Sequence, residues 1–216
     1  MTVNIMKRSG KTAVVAVGAS SKKAGKSSLA SYLVRRLGAD FSLKVSCCGS
    51  HPTSEPIVSN PSIISRPGTD TAALFEAGAR EVLWVNCSKS ELAGCLQRAL
   101  GMFPAGGLLV AEGNSAVSFM EPDFTVFLVA VSPEEFKPSA RRALARADLV
   151  IIDLSKDPTG PPAEEVESAL KELAPAANFF SFTDQPGREE AWEKAAVAAE
   201  EALALKEAGP ARGPAS

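Results

Sequence analysis

"AVGASSKKAGKSSLASYL", residues 16–33, ends its first half in the Gly25-Lys26-Ser27 of a phosphate-binding loop. In the pattern G-x-x-x-x-G-K-[ST] the first glycine falls on Ser20, and Lys22 and Lys23 stand mid-loop. Such a loop needs a strand before it, small residues around the turn, a lysine for the outer phosphates, and a hydroxyl for magnesium where a helix begins. "TAVVAVG" (12–18) reads as the strand, and Ala24 and Gly25 keep the turn small. Lys26 and Ser27 fill the last two positions, and "SLASYLVRRL" (28–37) carries a helical apolar pattern. Serine in place of the first glycine costs something only if that residue needs a positive φ. Ser20, Lys22, Ala24, Gly25, Lys26, Ser27 and Ser28 are therefore expected to hold a nucleoside triphosphate with Mg2+, either ATP or GTP. Lys22 and Lys23 either add positive potential near the phosphates or point to solvent.

Outward from the loop, short apolar runs alternate with helical patterns. The strand candidates are 12–18, "FSLKVS" (41–46), "EVLWVN" (81–86), "GLLVAEG" (107–113), "FTVFLVAV" (124–131) and "LVIIDLS" (149–155). Several lack alternation, as strands buried on both faces do. Helical stretches fall at 26–37, 71–79, 91–100, 133–147, 163–173 and 187–208, and "FFSF" (179–182) reads as an edge strand. Strand followed by helix, repeated, implies an α/β fold with a mostly parallel sheet flanked by helices, of the P-loop NTPase type. One domain over residues 1–208, closed by a C-terminal helix, and a disordered tail over 209–216 are expected.

The whole-chain properties narrow the function. With 216 residues, 45% of them hydrophobic, the chain can bury a sizeable core. A net charge of −2 and no long basic run argue against a nucleic-acid surface. The longest apolar runs are strand-sized, so no membrane partner is expected, and the basic start "MTVNIMKRSGK" precedes too short an apolar run for a signal peptide. A cytoplasmic location is expected. Four cysteines in a chain of this length suit free thiols or metal ligands rather than a disulfide framework.

A phosphate-binding loop is half of a nucleotide site, and the other half is an acidic residue at the end of a neighbouring strand. Glu112 ends "LLVAE" just before Gly113, where a carboxylate orients magnesium or the attacking water. Asp153 ends "LVIID" and competes for this role, but its strand comes later and should lie nearer the base. Asp70, in "PGTDTAALFEAG" (67–78), is expected to cap the helix that follows. "CCGSH" (47–51) gathers two thiols and the chain's single histidine, so Cys47, Cys48 and His51 form a candidate soft-metal set for zinc or nickel. One loop supplies at most three ligands, so a closed site calls for a second copy across a two-fold dimer. Cys87 and Cys95 read as core cysteines. Arg141, Arg142 and Arg146 read as a solvated helix face.

Two stretches carry a family resemblance. "KVSCCGSHP" (44–52) with "SRPGTDTAALFEAGAREVLWV" (65–85) resembles the molybdopterin-guanine dinucleotide biosynthesis protein B family, with its strand-two lysine, Pro-Gly-x-Asp-[ST] element and "AGA" helix end. Residues 110–157, "VAEGNSAVSFMEPDFTVFLVAVSPEEFKPSARRALARADLVIIDLSKD", are similar to the urease and hydrogenase accessory GTPases. Asp153 and Leu154 stand where those GTPases carry the Asn-Lys of their guanine-reading Asn-Lys-x-Asp, and Cys47 and Cys48 stand near the double histidine of the first family. The resemblance implies a slow NTPase that switches during assembly of a metallocofactor, the molybdenum cofactor or a related metal centre. It implies a homodimer, a cofactor-assembly protein as partner, and a segment around Asp70 that moves with the γ-phosphate and positions the attacking water. A small-molecule kinase and a nucleotide-binding regulator without turnover are the alternatives; a kinase usually carries a lid of clustered arginines, and no lid insertion is visible.

Overall fold

The computed structural model describes residues 11–47, 55–130, 133–156 and 160–208. Cys48, His51 and the 209–216 tail lie outside these described residues. Eight strands form one sheet: β1 Ala13–Ala19, β2 Phe41–Cys47, β3 Ile57–Val58, β4 Glu81–Cys87, β5 Leu108–Glu112, β6 Phe124–Val129, β7 Leu149–Asp153 and β8 Asn178–Phe182. Their order is β3-β4-β2-β5-β1-β6-β7-β8. Every pairing is parallel except β3 with β4. The helices are α1 Lys26–Leu37, α2 Pro61–Ile64, α3 Asp70–Glu76, α4 Leu92–Met102, α5 Asn114–Met120, α6 Pro138–Leu144, α7 Ala163–Lys171 and α8 Gln185–Ala208.

Strand periodicity distributes the core over two layers. Val15, Val17, Leu108 and Val110 join a cluster with Leu29, Leu33 and the α8 alanines Ala195 and Ala199. Leu43, Val45, Leu83, Val85, Leu109 and Ala111 pack on the opposite face with Leu92 and Leu96 of α4. β5, β6 and β7 are buried along their whole length, which is why their sequences are apolar without alternation. β8 ends the sheet and is mostly half-buried, as an edge strand should be. By the same parity Lys44 and Glu112 face the α1 side, while Cys47 and Cys87 face α4. Arg36 in the last turn of α1 bonds Glu193 and Glu200 of α8 at 2.8 Å each, which fixes the far end of the loop-bearing helix.

One local reading needs correction, and three short elements are unexpected. The helix expected over 133–147 is a 3-10 turn, Pro133–Glu135, followed by α6 from Pro138. Pro138 disfavours the helical region for the residue before it, and Lys137 is extended at φ −62° and ψ 153°. α5 gives no signal in the sequence, because its seven residues follow a strand with no polar cap in front of them. β3 and α2 are equally silent. Asn60 accepts from the Ser62 N–H at 3.0 Å and Pro61 opens α2, a start signal too short to carry a periodic pattern. No helix among the described residues is long and apolar enough to cross a membrane.

Gly113 joins β5 to α5 at φ +135°, and a Cβ there would meet the Val45 carbonyl oxygen at 2.5 Å. The close approach keeps β2 tight against the end of β5, where Glu112 sits. Gly113→Ala should cost about 2–3 kcal/mol, from the positive φ and the clash together. A fall in the urea midpoint of the nucleotide-free chain measures it.

Candidate functional site

β1 ends at Ala19 and α1 begins at Lys26, so residues 20–25 form the loop between them. Gly25 turns into α1 at φ +95°, a conformation glycine adopts without strain. Ser20 has no positive φ: among described non-glycine residues only Glu121 does. The serine is buried and ties the loop to β6, its N–H donating to the Leu128 carbonyl at 2.8 Å and its Oγ accepting from the Ala130 N–H at 2.9 Å. A glycine would supply only the first bond. Ala24 is also buried, whereas Lys22, Lys23 and Ser28 are exposed. The Lys26 Nζ folds back onto the Ser21 carbonyl at 2.8 Å. Burial holds its pKa below the usual lysine range, and the neighbouring Lys44 adds to this against the opposing pull of Glu112 and Asp70. Asn114, absent from the sequence-based set, clasps the start of the loop. Its Oδ1 accepts from the Ala19 N–H at 2.8 Å and its Nδ2 donates to the Ala19 carbonyl at 2.9 Å.

Glu112 meets the loop through the sheet register. On β5 it pairs with Val17 of β1 on one side and with Lys44 of β2 on the other. Its carboxylate is fully buried rather than a solvated strand end, and Oε1 accepts from the Ser27 hydroxyl at 2.9 Å and from the Lys44 ammonium at 2.5 Å. Oε2 is buried with no hydrogen-bond partner among the described residues. The same Lys44 ammonium lies 2.6 Å from Asp70 Oδ2.

Asp70 is not the helix cap. Thr69 takes that place, accepting from the Ala72 N–H at 3.2 Å, and Asp70 is the first residue of α3. Its side chain turns to Lys44, a long-range ionic partner that outcompetes the local capping geometry. Partial burial alone would push its pKa up; Lys44 and the Ser27 hydroxyl beside it reverse this and hold the carboxyl below the usual range. Burial likewise disfavours the Lys44 ammonium, but Glu112 and Asp70 outweigh it and raise its pKa. The Ser27, Asp70 and Glu112 side chains together offer the oxygen donors that magnesium prefers, and the orphaned Glu112 Oε2 is the kind of atom a cation or its water would satisfy.

Asp153 stands elsewhere, on β7, two strands from β1. It is buried, its Oδ1 accepts from the N–H and hydroxyl of Ser155, and Oδ2 lies 3.6 Å from Arg188. A small pocket of about 60 Å³ links it to the loop, lined among others by Ser28, Lys156, Phe182, Arg188 and Trp192. Arg188 also lies over the Phe182 ring, 5.6 Å from its centre.

Of the soft-metal candidates, Cys47 is exposed at the end of β2, and Cys48 and His51 lie outside the described residues. Among the described residues no group of three His, Cys, Asp or Glu side chains is placed to hold a metal ion. Cys87 and Cys95 are buried core thiols, as expected; burial, with the Cys95 thiol against it, pushes Cys87 up to about 12. Arg141 and Arg146 are engaged rather than merely solvated, donating to the Pro133 carbonyl at 2.9 Å and the Ser118 carbonyl at 3.0 Å.

The pH dependence of stability follows from Asp70 and Lys44. Folding lowers the Asp70 pKa, so its contribution is complete above the unfolded value of about 3.9 and is lost as pH falls through the folded value. Folding raises the Lys44 pKa, so its contribution is complete below about 10.4 and is lost as pH rises through the folded value. Between roughly pH 5 and 9 the network is intact. Urea midpoints of the wild type should therefore fall more steeply below about pH 4 than those of Asp70→Asn, because only the wild type loses a paired carboxylate there.

No protein-family model and no curated protein matches the chain. Among solved structures it is similar to the hydrogenase maturation factor HypB from Archaeoglobus fulgidus, with a TM-score of 0.59 at 16% identity over 89% of this chain and 90% of that one. HypB from Helicobacter pylori in complex with nickel gives 0.57 at 14% identity over 94% and 90%. A variant of Cyanothece McdA in complex with ATP gives 0.51 at 12% identity over 91% and 98%. The fold is that of the P-loop NTPases.

Proposed function

We propose that this chain binds a nucleoside triphosphate with magnesium, hydrolyses it slowly, and acts as a switch in the assembly of a metallocofactor. The observation that carries the reading is the convergence of Ser27, at the start of α1, with the buried carboxylate of Glu112, whose second oxygen has no hydrogen-bond partner among the described residues. The N–H groups at the start of α1 and the Lys26 ammonium receive the outer phosphates. Lys26 has to leave the Ser21 carbonyl to do so, and its burial favours an anionic partner over none. Ser27, Glu112 and Asp70 would hold a magnesium ion, which would neutralise charge on the phosphates. Asp70 orients the attacking water, whose proton goes to a phosphate oxygen as the bond to the γ-phosphorus forms and the bridging P–O bond breaks. The base lies toward Asp153 and Arg188.

Assembly of a metal centre as the wider role rests on the sequence resemblance described above, and it accords with a fold shared with a hydrogenase maturation factor, one example of which holds nickel. Cys47, with Cys48 and His51, is the part of this chain suited to the metal, and a two-fold dimer would complete its coordination.

Titration of the purified chain with ATP and GTP, with and without magnesium, tests the reading. Lys26→Ala should weaken binding by at least about tenfold, the loss expected for a charged hydrogen bond to phosphate. An unchanged dissociation constant for both triphosphates overturns the site. Single-turnover hydrolysis at saturating nucleotide should be lost in Glu112→Ala and kept in Asp153→Ala; loss in Asp153→Ala alone assigns the wrong strand.

A further inference from the structure

Lys44 has no role in the mechanism above, yet its ammonium joins both carboxylates of the site. The β2–β5 register places it beside Glu112, and its ammonium bridges two carboxylates at 2.5 and 2.6 Å. Its side chain is only 15% exposed, and that of Glu112 not at all. We propose that Lys44 is the resident counter-ion of the divalent-cation position: it neutralises Glu112 and Asp70 when no nucleotide is bound and excludes a free cation until nucleotide enters. The proposal rests on the reading of Ser27, Glu112 and Asp70 as the cation's ligands.

The physical argument is one of charge and lone pairs. Two carboxylates drawn together at the mouth of a sheet, one fully buried, need a positive partner. An ammonium has three donors and no acceptor, so it satisfies carboxylate oxygens but cannot share their space with a second cation. A divalent ion entering alone at Glu112 Oε2 would meet the Lys44 charge, held on Oε1 of the same carboxylate and on Asp70, at close range and with no compensating anion. A triphosphate brings that anion. Its phosphates offer the ammonium new acceptors, and both carboxylates become available together. Cation binding is thereby tied to nucleotide binding, which keeps the site from filling with metal alone, a useful property in a chain proposed to work beside other metal ions.

The test uses Mn2+ with the full chain and no nucleotide, read by the loss of the free-ion paramagnetic resonance signal. Wild type should bind no Mn2+ at this site. Lys44→Met should bind it at least about tenfold more tightly than wild type, since one repelling charge is gone, and Lys44→Arg, which keeps the charge, should not. Melting temperature gives a second readout: Mn2+ should raise that of Lys44→Met and leave the wild type unmoved. Wild-type Mn2+ binding that Glu112→Gln abolishes overturns the proposal without any variant of Lys44 having to fold. A folded Lys44→Met that binds Mn2+ no better than wild type also overturns it and leaves Lys44 a structural ion pair. Either result can stand while nucleotide still binds; failure of the wild type to bind ATP or GTP removes the underlying reading and the proposal with it.

Discussion

The fully buried carboxylate of Glu112 constrains everything around it. A charge without access to water must be paired, and removing one partner of such a pair typically costs about 3–5 kcal/mol. Glu112 meets the requirement through the order of the sheet. With β5 between β1 and β2, the strand that leads into the phosphate-binding loop lies on one side and the strand that carries Lys44 on the other. The Ser27 hydroxyl and the Lys44 ammonium then reach the same oxygen. A slip of one residue in either register would turn Lys44 or Glu112 to the opposite face, so the apolar alternation that fixes the register also assembles the charges.

Legibility in the sequence follows the range of the interaction. The loop from Ser20 to Ser27 can be read directly, because strand, turn and helix start are consecutive and each residue acts locally. The apolar runs mark the strands, and the unalternating ones are those buried along their length. Asp70 misleads for the converse reason. A carboxylate before a helical pattern suggests a cap, but Thr69 one residue earlier can cap equally well, and the ionic partner that decides the matter comes from another strand. Lys44 is visible only as part of a motif, since nothing local distinguishes it from a lysine that solvates. Asn114 is hidden in the same way: its amide completes a pair of bonds to Ala19 at the end of another strand.

The two ends of α1 are held differently, and the contrast bears on which part can move. Its C-terminal turn is tied to α8 by Arg36 with Glu193 and Glu200, and Tyr32 donates to Glu193 at 2.6 Å. Its N-terminal turn is held by side chains whose bonds phosphates could replace, Lys26 on a carbonyl and Ser27 on a carboxylate. Binding an anion there exchanges partners without disturbing the packed length of the helix. α3 is packed into the core through Ala72 and Leu74, and only its first residue, the half-exposed Asp70, turns to the site, where it meets the Lys44 ammonium.

β2 also carries the thiol-bearing side of the molecule. Cys47 ends the strand that Lys44 occupies and pairs in register with Cys87 of β4, but alternation puts these cysteines on the face packed against α4, opposite to Lys44 and Glu112. A metal held at Cys47, as proposed, would therefore share a strand with the Glu112–Asp70 cluster but not its face of the sheet.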